Sequence, residues 1–250
     1  MTQLSVIIPT FNEESNIRRA LDSVFFADEI IVIDSFSTDA TVAIVKEYDV
    51  RLLQRNFDNF SSQKNYALQY ATNKWILFLD ADEQVTNELR VEIQKTISNE
   101  SLYSAYRINR TFYFKNKKIS YSGFRNGSVI RLLIKNSCKY VGKVHEKIDI
   151  LPTNVENLKG RINHFSYKSY FQYENKLKKY AILQSQELYA KGKQPTVYHF
   201  FIKPLIRFFI HYIIKLGFLD GKKGFILSFL HAKGVYFRYK ELEVLNTKKN

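Results

Sequence analysis

Three short apolar runs in the first eighty residues each stop on a polar or acidic residue, and that repetition limits the fold more than any other feature. Leu4-Ser5-Val6-Ile7-Ile8 runs into Pro9 and Thr10, Ile30-Ile31-Val32-Ile33 ends on Asp34, and Trp75-Ile76-Leu77-Phe78-Leu79 ends on Asp80-Ala81-Asp82-Glu83. Runs of this length and composition read as buried strands. Val50 to Leu53 adds another strand. Between the strands, Ile17, Ala20, Leu21 and Val24 recur at helical spacing, as do Val42 and Val45, and then Tyr66, Ala67, Tyr70 and Ala71. Asn12 is the candidate cap of the first helix, with Glu13 and Glu14 in its first turn. Ser37, Thr38 and Asp39 open the second helix, and Ser61 or Ser62 caps the third. Strands and helices alternating at this length predict an α/β fold, a parallel sheet with helices on both faces.

In such sheets ligands bind beyond the carboxyl ends of the strands, which here carry Thr10-Phe11-Asn12-Glu13, Asp34 and Asp80-Ala81-Asp82. Asp80 and Asp82 stand two apart, so both can turn the same way and offer hard oxygen donors to Mg²⁺ or Mn²⁺. Those cations take one or two carboxylates and fill their shell with water and substrate phosphates. The plainer alternatives are a solvated turn at Asp80–Asp82 and simple helix caps at Asn12 and Asp39. Asp34, directly after four aliphatics, is harder to explain as a cap. No Gly-x-Gly-x-x-Gly follows the first strand, which disfavours a dinucleotide fold. A nucleotidyltransferase would want a glycine-rich basic loop there, and Pro9-Thr10-Phe11-Asn12-Glu13 is neither.

Thr86 or Asn87 starts a helix through Leu89 and Ile93, after which β-rich stretches around residues 103–108 and 129–134 predict an added mixed-sheet section. Charge divides the chain unevenly. Residues 1–100 hold 9 Lys/Arg against 16 Asp/Glu, net −7, and the remaining 150 hold 29 against 8, net +21. The basic part implies a polyanionic partner, an anionic membrane surface or nucleic acid. One cysteine, Cys138, excludes an internal disulfide and fits a reducing compartment. The opening Met1-Thr2-Gln3-Leu4 has no basic flank, so no signal peptide and a cytoplasmic location are expected.

Ser5-Val6-Ile7-Ile8-Pro9-Thr10-Phe11-Asn12-Glu13-Glu14, then Val32-Ile33-Asp34-Ser35-Phe36-Ser37-Thr38-Asp39-Ala40-Thr41, then Leu79-Asp80-Ala81-Asp82-Glu83 together resemble the family 2 glycosyltransferases of the GT-A fold. The resemblance implies a Rossmann-like, mostly parallel sheet in which Pro9, Thr10, Asn12, Glu13 and Asp34 hold the nucleoside of a sugar donor. It also implies that Asp80 and Asp82 carry the metal on the diphosphate. Gln63-Lys64-Asn65 matches a segment that approaches the nucleotide in that family, although taken alone Lys64 reads as a solvated helix residue. Phe36 and Ala40 stand where the family usually has glycines; both fit if those positions avoid positive φ.

An inverting enzyme needs a carboxylate to take the proton from the acceptor hydroxyl. No Asp or Glu lies between Glu100 and Glu146, so Glu146 is the first candidate downstream of the aspartate pair. Arg131-Leu132-Leu133, Tyr140-Val141-Gly142-Lys143-Val144-His145-Glu146 and Gly160-Arg161-Ile162-Asn163-His164-Phe165 resemble the branch similar to lipopolysaccharide core glucosyltransferases, to nearly the end of the chain. This implies Glu146 as base with His145 beside it, and His145 or His164 at the metal or diphosphate; His164 also reads as a partly buried structural histidine.

After a polar, basic helix from Tyr167 to Lys191, residues 197–210 are rich in Phe and Ile but interrupted by Lys203, Pro204 and Arg207. A spanning helix needs ~20 predominantly apolar residues; this one reads as an interfacial helix meeting anionic lipid. Packing on the catalytic domain is the plainer alternative. Three sections are expected: 1–100 for the nucleotide sugar, 101–166 for acceptor and catalysis, and 167–250 as a helical, basic, amphipathic membrane-associating extension. The expected function is inverting, metal-dependent transfer of a hexose, glucose first, from a nucleotide-diphosphate sugar to a lipid-linked saccharide on the inner face of the cytoplasmic membrane, with no nucleic acid involved. Transfer to a polyprenyl phosphate and a basic nucleic-acid-binding module are the competing readings.

Overall fold

The computed structural model describes residues 4–99, 102–124, 127–142, 147–150 and 154–247. The chain divides into two compact units, residues 1–111 with 127–166, and residues 112–126 with 167–250.

In the first unit β1 (Leu4–Thr10), α1 (Ile17–Ser23), β2 (Glu29–Asp34), α2 (Thr41–Val45), β3 (Arg51–Gln54), α3 (Phe60–Tyr70) and β4 (Trp75–Phe78) alternate as the apolar spacing predicts. β5 (Glu83–Val85) and α4 (Asn87–Ser98) follow, and then β6 (Ala105–Phe114), whose end runs into the second unit with β7 (Lys117–Ile119). The chain returns as β8 (Ser128–Ile134), the antiparallel pair β9 (Cys138–Val141) and β10 (Lys147–Ile150), and β11 (Val155–Tyr167). The sheet order is β3-β2-β1-β4-β8-β6-β11-β5. The first four strands are parallel; β8 runs antiparallel to β4 and to β6, and β5 antiparallel to β11. The expected parallel sheet is therefore the first half of a mixed one.

Alternation along the strands builds two cores. Val6, Ile8, Val32 and Leu77 pack with Ile17, Leu21, Leu89 and Ile93 of α1 and α4, and Ile7, Ile31, Ile33, Ile76 and Phe78 pack with Ala67, Leu68 and Ala71 at α3. Helices thus cover both faces. With seven and five residues, α1 and α2 are too short to persist alone, and neither has a side-chain cap. A cap contributes ~1 kcal/mol and a buried Leu or Ile ~1.5–3, so the sheet rather than the cap holds them.

The cap assignments need correction. Asn12 does not cap α1; the residue at that position is Asn16, and the first turn holds no acid. α3 is capped by Asn59, whose side chain accepts from the Ser62 amide at 2.8 Å, rather than by Ser61 or Ser62. Thr86 caps α4 as expected. Gly160 of β11 passes so close to α4 that a Cβ there would lie 2.6 Å from the Leu89 Cα.

The second unit pairs the end of β6 with β7, Phe112 opposite Ile119 and Phe114 opposite Lys117. These residues share a core with Tyr167, with Tyr173 of α5 (Tyr170–Ala190), and with Leu227 and Leu230 of α8 (Gly221–Thr247). Between the two long helices lie α6 (Val197–Phe200), α7 (Ile202–Phe209) and a π-helical turn, Ile210–Ile214. Residues Val197–Ile214 have the length and mean hydropathy, 1.3, of a membrane span, and only 6% of them are buried. His211 and His231 stack with ring centroids 3.9 Å apart; His211 Nδ1 lies 2.8 Å from the Ser122 carbonyl oxygen and His231 Nε2 is 2.9 Å from the Tyr173 hydroxyl.

Candidate active site

Register sets the first part of the site. Thr10 pairs with Asp34 and Asp34 with Gln54, so the carboxyl ends of β1, β2 and β3 lie in line, with Pro9 one step behind, opposite Ile33. Asp34 is fully buried, as its place after four aliphatics suggested. Its carboxylate accepts from the Ser37 amide (3.0 and 3.3 Å), the Ser37 hydroxyl and Gln54 Nε2 (3.1 Å). Thr10 Oγ1 is buried with no hydrogen-bond partner among the described residues.

Asn12 locks the two neighbouring loops together. At φ 55° its amide donates to Ser37 Oγ (2.9 Å) and its Oδ1 accepts from the Thr38 amide (2.8 Å). The zipper continues where the Glu13 amide donates to Thr41 Oγ1 (2.8 Å) and the Glu14 amide to Asp39 (3.1 Å). The Glu13 carboxylate accepts from Asn16 Nδ2 at 2.7 Å. Phe36 occupies the left-handed region at φ 60°, contrary to the condition under which a non-glycine fits there without strain, whereas Ala40 at φ −72° satisfies it.

Past β4 the chain turns, so the strand alternation that would aim Asp80 and Asp82 together no longer applies. Asp80 is ion-paired with Arg131, which also donates to Glu83 at 2.8 Å. Asp82 Oδ2 lies 3.2 Å from His164 Nε2, and that nitrogen is 2.6 Å from Ser166 Oγ. His164, a partly buried histidine, thus meets Asp82 and Ser166 through the same ring nitrogen. Glu83 and Arg131 are buried, and Arg110 approaches Glu83 at 3.8 Å. Desolvation works against ionised Asp80, but the charges of Arg131 and Lys64 outweigh it and hold the carboxyl well below the usual range. Burial, with Asp80 adding to it, pushes Glu83 up in spite of Arg131.

Lys64 corrects the reading of a solvated helix residue: its side chain is 3% exposed, with Nζ 5.0 Å from the Tyr140 ring centroid and 5.8 Å from that of Phe78. Tyr140 belongs to β9, which α3 grips through Asn65: Nδ2 donates to the Tyr140 carbonyl (2.8 Å) and Oδ1 accepts from its amide (3.0 Å). Ser61 Oγ donates to the Gly142 carbonyl at 2.6 Å. The chain entering residues 143–146 is therefore pinned to the helix that carries Lys64. His145 and Glu146 themselves lie outside the described residues.

Asp82 and His164 fit a divalent cation carried in on substrate phosphates, since Mg²⁺ and Mn²⁺ need only one or two protein ligands in that setting. Among the described residues no three or more His, Cys, Asp or Glu gather into a complete protein cage. The part of the site that motif reading left without a role is Arg131. A lone cation in Ser128-Val129-Ile130-Arg131-Leu132-Leu133-Ile134 was the available signal, since a charge inside a buried strand demands a partner.

A half-parallel sheet with loops, carboxylates and buried cations gathered at the strand ends defines an α/β enzyme. The chain belongs to glycosyl transferase family 2, which it matches over residues 5–171, and it is a glycosyltransferase. It is 30% identical to an uncharacterized glycosyltransferase of Rickettsia felis, covering 97% of this chain and 90% of that one. It is also 27% identical to the lipopolysaccharide core biosynthesis glycosyltransferase LpsC of Rhizobium meliloti, covering 94% and 93%. The crystal structure of S. aureus TarS 1–349 in complex with UDP-GlcNAc superposes with a TM-score of 0.50 at 15% identity over 99% of this chain and 92% of that chain, a likeness of fold.

Proposed function

We propose that the enzyme transfers a hexose with inversion from a nucleotide-diphosphate sugar, UDP-glucose being the first to test, to a lipid-linked saccharide such as a lipopolysaccharide core. The observation that supports this most directly is the convergence, at the carboxyl ends of the neighbouring parallel strands β2, β1 and β4, of Asp34, Thr10 and the Asp80–Asp82 turn, with buried Lys64 close enough for its charge to act on Asp80. Thr10, Asn12, Glu13 and Asp34 would hold the nucleoside, the unpartnered Thr10 hydroxyl gaining the hydrogen bond it lacks. Asp82 with His164 would hold Mg²⁺ or Mn²⁺, which when bound offsets charge on the leaving diphosphate. Lys64 and Arg131 keep Asp80 ionised. Glu146, beside His145, would take the proton of the acceptor hydroxyl as the sugar moves.

The acceptor reading rests on the second unit. Phe201, Ile202, Leu205, Ile206 and Phe209 are all exposed on and beside α7, and the chain after residue 100 carries +21. An apolar helix face on a basic body suits the headgroup layer of an anionic membrane, here the inner face of the cytoplasmic membrane. Sedimentation with vesicles should show binding to phosphatidylglycerol-containing bilayers that Phe201→Ser with Phe209→Ser weakens tenfold or more; equal binding by that variant would remove the membrane from the proposal.

The deciding experiment is hydrolysis of a panel of nucleotide sugars with Mg²⁺ or Mn²⁺. Wild type should release nucleotide slowly from one donor, Asp82→Asn should lose the metal-dependent part, and Glu146→Gln should lower transfer to acceptor by about 10²-fold or more. A wild-type protein that neither binds nor cleaves any nucleotide sugar would sink the proposal.

A further inference from the structure

Helices α5, α7 and α8 of the second unit line a cavity of about 220 Å³. Arg207 comes from α7, Arg238 and His231 from α8, and Tyr180 and Gln184 from α5; among the described residues no carboxylate lines it. Nε of Arg238 is buried with no hydrogen-bond partner among the described residues. Burial first, then the charge of Arg207, push the Arg238 guanidinium below the ordinary arginine value, with only the Tyr239 hydroxyl acting the other way. Two like charges sharing a partly enclosed space are costly without a counter-ion. Of the acids of this unit, Glu174 pairs with Lys178 (3.1 Å) and Lys233 (2.8 Å), Glu243 pairs with Lys240 (2.9 Å), and Asp220 accepts from the amides of Ser120 and Tyr121, while Glu187 and Glu241 are not among the residues that line the cavity. His231 is kept neutral, pushed down to about 3 by burial and by neighbouring His211 and Arg207, so it adds no third charge.

We propose that this cavity binds a phosphate, free or as the monoester of a lipid, with Arg207 and Arg238 as its charged ligands and Gln184 and Tyr180 as neutral donors. The chemistry selects itself. Planar guanidinium forks match phosphate oxygens with paired, charge-assisted hydrogen bonds, and an oxyanion supplies the missing counter-charge. The site is separate from the donor site of the first unit and stands whether or not the sugar donor is a nucleotide-diphosphate sugar. Its ligand has two possible sources, the phosphate of a lipid or a free phosphate. Arg207 shares α7 with Leu205, Ile206 and Phe209, whose side chains are exposed, so the helix that would meet a bilayer also lines the cavity.

The test is calorimetric titration of the full chain at about 0.15 M salt, where long-range attraction to its net charge is largely screened. The probes are inorganic phosphate and water-soluble dihexanoyl phosphatidate. Arg238→Met and, separately, Arg207→Met should weaken binding tenfold or more with an unchanged near-ultraviolet dichroism spectrum, while exposed Lys240→Gln leaves it unaltered. If Arg238→Met does not fold, Arg207→Met carries the test. Phosphatidate binding at least tenfold tighter than phosphate would support the site and assign the lipid ester as its ligand; equal affinities would support it and assign free phosphate. Failure of wild type to bind either probe, or equal binding by wild type and both arginine variants, overturns the proposal.

Discussion

The two units solve the problem of buried charge in opposite ways. In the first, every deep cation has an acid or an aromatic face: Arg131 sits between Asp80 and Glu83, and Lys64 lies against Tyr140 and within reach of the Asp80 charge. In the second, Arg207 and Arg238 share a cavity without a carboxylate, the stacked histidines stay neutral, and large apolar side chains such as Phe201 and Ile214 stand about 70% exposed. Both units leave large apolar side chains exposed, Phe25 and Leu102 in the first among them, so the difference between them lies in how buried charge is paired.

The largest expected effect strikes the self-satisfied side. Arg131→Leu leaves Asp80 and Glu83 with only Lys64 and the more distant Arg110 for counter-charge, and should lower stability by about 3–5 kcal/mol in urea titration. The matching Arg238→Met should cost far less or even stabilise, because it removes an unpaired charge; comparable losses would break the contrast.

Acid should separate the units next. Burial pushes His211 down to about 4, from an ordinary value of 6.5, so the folded protein refuses a proton that the unfolded chain accepts. Stability therefore rises with pH between those values and falls as acid is added, by on the order of 3 kcal/mol at pH 4 from His211 alone. Asp80 shifts the other way: its carboxyl is held low, so its contribution survives until the pH falls through the ordinary carboxylate range and below. Trp75, the one tryptophan, lies buried in the first unit. Its fluorescence should hold through pH 4 while tyrosine dichroism changes; a Trp75 transition that came first would reverse the order.

Smaller effects test the packing of the first unit alone. Gly160→Ala drives a methyl into the Leu89 backbone and should cost about 1–3 kcal/mol. Phe36→Gly should do the reverse, since it relieves left-handed strain at a side chain already 48% exposed; a gain of up to about 1 kcal/mol is expected from thermal melts.

What the sequence revealed follows from how local each signal is. Buried strands and the carboxylate turn were legible because period and composition act over a few residues, and Asp34 was singled out by its four aliphatic predecessors. Asn12 was misassigned as a cap because its partners, Ser37 and Thr38, stand on another loop 25 and 26 positions away. Lys64 looked solvated because the ring that covers it, Tyr140, belongs to a distant strand. Asn59 in place of Ser61 or Ser62 is a slip of two or three residues at a helix end, where boundaries are least certain. Arg131 advertised a need for a partner without saying which acid would answer.

The chain crosses between its units three times, after residues 111, 126 and 166. Phe112, Phe114 and Ile119, which belong to the core of the second unit, are therefore encoded inside the stretch that builds the first. A gene cut once, after Ser166, would yield a tail lacking the aromatic floor beneath Tyr173 and Leu227 and a head with that floor uncovered. Neither half can be traded between proteins as a module.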